Sequence, residues 1–133
     1  MPQTTKTELT PYEILKQARE LITNPAHWCR SWYWMDKDHR LLDTPGPTCV
    51  QRCVTGALIE ASIPLHFPRW SLSDIPDSVY EYLGDALGIE NRDEIHLVAI
   101  NDNEGHTRVL EVLDSAMDYA LSDMEAAGED FDL

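Results

Sequence analysis

No apolar run in the sequence approaches the roughly 18 residues needed to cross a bilayer, and the opening from Met1 to Lys6 has no hydrophobic stretch of signal-peptide type. Membrane insertion and secretion are not expected, and the cytoplasm is the expected location. Cysteine is scarce. Cys29, Cys49 and Cys53 are an odd number without secreted-scaffold spacing, which reads as reduced thiols. Cys49 and Cys53 lie four apart and would share a helical face, but no second Cys or His pair stands at finger spacing. Zinc needs about four ligands, so no metal and no cofactor is expected. Positive charge is also in short supply: 10 Lys and Arg face 24 Asp and Glu, for a formal net charge of −14. Such a surface repels phosphate backbones and anionic membranes, which argues against direct binding of DNA, RNA or lipid. It attracts a protein with a basic surface instead. Solubility alone is the plainer use of the same charge.

What is present suits one folded domain. The 133 residues are 43% apolar with four Trp and five Tyr, enough to build a single core. The pattern predicts a mainly α protein, a compact bundle of four to five helices with a small β-hairpin near residues 31–42. A flexible arm, 1–9, and an acidic tail, 123–133, flank a helical domain over 10–122. Thr10, Pro11 and Glu13 form a capping box, and Ile14, Leu15, Ala18, Leu21 and Ile22 follow at helical spacing until Asn24 and Pro25. A turn at 36–38 predicts Ser31 to Met35 pairing with His39 to Leu42, with Tyr33 on the face opposite Trp32 and Trp34. Thr48 and Gln51 predict a second capping box opening a helix through Ser62. That helix contains Gly56, whose cost of roughly 1 kcal/mol relative to Ala implies a close helix–helix approach. Residues 63–75, with Pro64 and Pro68, read as an irregular connection. Ser73 or Asp74 would cap a helix from Pro76 to Leu87 that ends at Gly88. A short helix over 92–100, with a strand as runner-up, leads to a polar loop at 101–106, and Thr107 would cap a last helix from Arg108 to about Ser122.

Three segments together resemble a family of small bacterial and phage proteins classed as a domain of unknown function. They are Ala18, Leu21, Ile22, Pro25 and Trp28; then Cys53, Gly56, Ala57 and Leu58; then Asn101, Asp102, Gly105 and Thr107, followed by Glu111, Val112, Leu113 and Ala116. The resemblance implies the helical layout and a bacterial or phage-infected cell. It implies no activity, but it draws attention to Cys53, Asn101 and Asp102. This chain has Ile100 and Arg108 where relatives usually carry Trp and often His.

Three functional readings follow from these residues. Cys53 or Cys49 with His106 and Asn101 would make a small cysteine-dependent hydrolase or transferase. A reactive thiolate wants an electropositive setting, whereas Cys53 is expected in the second turn on an apolar helix face, where burial raises its pKa. Asn101 and Asp102 are expected to satisfy backbone amides, with Trp28, Gly56, Gly105 and Thr107 as further structural positions. The preferred reading is a non-enzymatic binding or accessory protein occupying a basic protein surface, in the manner of a nucleic-acid mimic or anti-defence inhibitor. Its binding residues would be Glu111, Asp114, Asp118, Asp123 and Glu125, with Trp32 and Trp34 as aromatic anchors. The third reading is a structural oligomer with no ligand, a homodimer being one form of it.

Overall fold

The computed structural model describes residues 10–62, 74–91 and 94–126. The expected arm at 1–9, residues 63–73 of the expected connection including Ser73, and the last seven residues of the expected tail lie outside the described residues. Helix α1, Pro11–Ile22, starts on the capping box read from the sequence. The Glu13 amide donates to Thr10 Oγ1 (3.1 Å) and the Thr10 amide donates to Glu13 Oε1 (3.0 Å). Its inward stripe is Ile14, Leu15, Ala18 and Ile22. The chain then turns through a short 3-10 segment, Pro25–His27, where the Asn24 side chain accepts from the Ala26 amide (2.9 Å).

The expected hairpin is present but shorter, and it belongs to a three-stranded antiparallel sheet. Strand β1, Trp34–Asp36, lies between β2, Leu41–Leu42, and β3, Cys49–Arg52. Ser31 adopts a left-handed conformation (φ 75°), so strand alternation begins only at Trp34. Strand β3 corrects the expected helix over 48–62. Met35 pairs with Gln51 and Trp34 with Arg52, and these cross-strand partners outweigh the local capping pattern of Thr48 and Gln51. Helix α2, Val54–Ser62, starts five residues later than that pattern predicted.

Helix α3, Asp77–Leu87, ends on Gly88 in the left-handed region (φ 74°), as the sequence predicted. Its start differs: Pro76 is the N-cap and no side-chain hydrogen bond caps it, so Asp74 does not play the expected capping part. Helix α4, Leu97–Ala126, corrects two expectations together. The expected polar loop at 101–106 is helical up to a break at Gly105 (φ 92°, ψ 173°), and the helix then continues past Ser122 into the expected tail. Thr107 stands inside the helical span, two residues after the break, and not at a loop-to-helix boundary.

The core forms where α1, α2, α3 and α4 meet, around Leu15, Ile22, Leu58, Ile59, Leu83 and Leu113, all fully buried. Trp34 from the sheet joins it at 1% exposure. Its indole Nε1 donates to Glu60 Oε2 (3.1 Å), the carboxylate that also pairs with Arg52 (2.5 Å), so β3 and α2 are linked through one partly buried ion pair. Gly56 does mark a close approach, but to the backbone entering β1 and not to another helix. A Cβ there would lie 2.3 Å from the carbonyl oxygen of Tyr33, which accepts from the Cys53 amide (3.1 Å). Gly56→Ala must push α2 away from that strand and is expected to cost about 1–3 kcal/mol. Chemical denaturation checks this, and an unchanged midpoint would contradict the close approach.

Candidate functional site

The motif residues separated along the chain converge on one buried side chain. Asn101, completely excluded from solvent, projects from the first turns of α4. Its Oδ1 accepts from Trp28 Nε1 (2.7 Å) and from the Val54 amide (2.9 Å), the first amide of α2. Its Nδ2 donates to the Cys29 carbonyl (2.9 Å) and to Asp102 Oδ1 (3.1 Å). Asp102 in turn accepts from the Ser31 amide (2.9 Å) on the same oxygen, and its carbonyl accepts from Arg30 Nε (2.9 Å). Both side chains thus take up backbone amides across the fold, far from the local loop they were expected to brace. Trp28 also meets His106, with ring centroids 5.3 Å apart, and the Arg30 guanidinium 4.8 Å from its ring centre.

Beside this node lies a cavity of about 270 Å³ lined by Ser31, Trp32, Tyr33, Cys53, Val98 and Asp102. A second cavity of about 210 Å³ shares Val98 as a wall and is also lined by Thr55, Tyr80, Ile95, His96 and Leu97. Among the described residues, Thr55 Oγ1, fully buried, has no hydrogen-bond partner of ordinary geometry. Sequence reasoning missed Ser31, Thr55 and Val98, and named Tyr33 only as a neighbour of the two tryptophans. Adjacency to Trp32 was the only signal for Tyr33, and the left-handed Ser31 that brings the segment over Cys53 leaves no mark in the residue pattern.

The thiols occupy other places than the helical reading gave them. Cys49 is the first residue of β3. Cys53 immediately precedes α2, and its Sγ accepts from the Gly56 amide (3.4 Å), a sulfur standing in for the usual capping oxygen. Burial pushes Cys53 up to about 11, more than the neighbouring amides of Gly56 and Thr55 pull it down. Burial, with the nearby Cys53 and Cys49, pushes Cys29 up to about 12. Burial also raises Cys49. His106 is turned elsewhere: its Nε2 lies 2.6 Å from the Ile22 carbonyl, and no hydrogen bond among the described residues joins an imidazole to a thiol. The proposed Cys–His–Asn constellation is not assembled.

Of the two expected aromatic anchors, only Trp32 is accessible, at 40% exposure, with its Nε1 donating to the Leu42 carbonyl (2.8 Å). Trp34 is core, so its assignment to a binding surface is corrected. Trp32 and Tyr33, expected on opposite faces, have ring centroids 6.2 Å apart because the segment is not yet a strand. Glu111, Asp114, Asp118 and Glu125 all face solvent along α4. Asp114 is paired with Arg19 of α1 (2.5 Å), Glu111 lies 3.7 Å from Arg108, and Asp123 accepts from the Tyr82 hydroxyl (2.8 Å) on α3.

Residues 6–119 match a family of unknown function, DUF6197. The chain belongs to this family. No curated protein and no solved structure matches it. The DUF6197 match contains Trp28, Cys53, Asn101, Asp102 and every residue lining the two cavities, whereas Asp123 and Glu125 lie beyond it.

A thiol at about 11 is almost wholly neutral at pH 7. Cys53 is therefore expected to alkylate with iodoacetamide far more slowly than a free thiol at pH 7, and to speed up about tenfold per pH unit until pH approaches 11. Mass-resolved labelling checks this. A fast Cys53 at neutral pH would reinstate the thiol-enzyme reading.

Proposed function

We propose that this protein acts by contact, as a non-enzymatic acidic binding protein that sets the second half of α4 against a basic protein surface. The observation that carries the reading is the placement of Glu111, Asp114, Asp118 and Glu125 at intervals of three, four and seven residues on exposed positions of one helix. Such spacing keeps side chains on one face. The stripe covers roughly 21 Å of axis at about 1.5 Å per residue. Arg108 is the last basic residue of the sequence, so nothing after it in the chain dilutes the stripe. Arg19 neutralises Asp114 in part and Arg108 lies 3.7 Å from Glu111, which leaves Asp118 and Glu125 as the principal charges.

The buried and neutral thiols favour this reading over a cysteine-dependent enzyme, because a thiol pushed up to about 11 is a weak nucleophile at neutral pH. In its finer form the proposal is a phage-derived cytoplasmic inhibitor that occupies a surface otherwise holding nucleic acid, since a row of fixed carboxylates offers a basic groove the same sign of charge as phosphates.

Capture of proteins from bacterial lysate on the immobilised chain tests the electrostatic core of the proposal. At about 50 mM salt the wild type is expected to retain basic partners that a Glu111→Gln/Asp118→Asn/Glu125→Gln variant does not, and retention should fall steeply by about 300 mM. Equal capture by the variant, or capture that does not weaken with salt, would overturn it.

A further inference from the structure

The cavity beside Asn101 has a composition that the contact reading does not use. Its walls are largely apolar, from Trp32, Tyr33, Val98 and Cys53, and Asp102 is its only carboxylate among the described residues. Asp102 Oδ1 is occupied twice, by the Ser31 amide and by Asn101 Nδ2. Among the described residues, Oδ2 accepts no hydrogen bond and the carboxylate enters no ion pair within 4.0 Å. Arg30, the nearest guanidinium on the adjoining segment, is committed to the Asp102 backbone carbonyl and to the Trp28 ring, and it does not line the cavity. A carboxylate with one free oxygen among aromatic and aliphatic walls suits a cation carried on an alkyl chain.

We infer that this cavity receives a lysine side chain of the basic partner, its methylenes against Val98 and Trp32 and its ammonium beside Asp102 Oδ2. The inference rests on the proposed contact function and adds a specific anchor to it. A volume of about 270 Å³ accommodates such a chain. Lysine fits better than arginine because the guanidinium fork seeks two carboxylate oxygens, and one is already filled. Trp32, at 40% exposure, and Val98, at 44%, keep the mouth open to solvent. The net charge of −14 raises the local concentration of any cation there.

Titration of the ¹⁵N-labelled full chain with Nα-acetyl-lysine amide, followed by NMR, tests this without the partner. Shift changes are expected at Ser31, Trp32, Val98 and Asp102 with millimolar affinity, typical of so small a ligand. Nα-acetyl-norleucine amide, the same length without the charge, should bind about fivefold more weakly or worse. Asp102→Asn keeps an acceptor for the Ser31 amide and removes the charge, and should cause a similar loss. Val98→Lys, at an exposed position that threatens no packing, should abolish binding by placing an ammonium in the mouth. The Glu111→Gln/Asp118→Asn/Glu125→Gln variant should bind the probe as the wild type does, so failure of the α4 stripe and failure of this anchor are separately visible. No shifts at the lining residues, norleucine binding equal to lysine, or tighter binding of Nα-acetyl-arginine amide would overturn the inference.

Discussion

Asn101 carries two donor positions and two acceptor positions on its carboxamide, and all four are used: by the indole of Trp28, the first amide of α2, the carbonyl of Cys29 and the carboxylate of Asp102. Full use matters because the group is completely buried, where each unmade hydrogen bond would cost about 1–3 kcal/mol. The four partners come from three stretches of chain far apart in sequence, so the fold of this region depends on a single amide finding all of them. The break at Gly105 lies one helical turn further along α4. It lets the first turns meet α2 and the 28–31 segment while Val109, Val112, Leu113 and Ala116 of the second half pack on the core. Strand β3 is fixed to the same node, since the Cys29 amide donates to the Arg52 carbonyl (3.1 Å) and the Cys53 amide to Tyr33.

The same node shapes the cavity. Asp102 is held by Asn101 and by the Ser31 amide, and Ser31 offers that amide in a left-handed conformation. This brings Trp32 and Tyr33 over Cys53. The thiol then has two structural duties, capping α2 and filling the cavity floor, and its neutral state follows from the burial that both require. What draws the eye as nucleophile, amide and imidazole in the sequence is accounted for by packing and hydrogen bonding, with His106 committed to the Ile22 carbonyl and the Trp28 ring. The surfaces to which the proposed contact is assigned are the α4 stripe and the open mouth of the cavity, where the node presents the second oxygen of Asp102.

Much of the fold is legible locally. The capping box at Thr10, the apolar stripe of α1 and the glycine end of α3 all rest on interactions within a few residues, and the sequence pattern reads them correctly. Strand β3 does not, because Cys49 to Arg52 pair with residues 34–36, and Arg52 also with Trp28, and nothing near them in sequence announces those partners. The Asn101 to Glu104 stretch misleads for the opposite reason. Two of its turn-like residues, Asn101 and Asp102, serve long-range bonds from a helix and not a loop. Trp34 shows the same limit, since alternation from Ser31 would pair it with Trp32 on one face, and one left-handed residue undoes that phase. For the site, Cys53, Asn101 and Asp102 were identifiable as residues of interest, but what joins them needed Ser31, Val54 and Val98, none distinctive by type.

Native-state hydrogen exchange is the most direct measurement of the role given to Asn101. If its carboxamide holds the node, the indole N–H of Trp28 and the amide of Val54 should exchange together, at rates close to those of the slowest core amides of α2 and α4, because both open only when the node does. Exchange of either proton at the rate of an exposed loop, while the helices remain protected, would contradict the account.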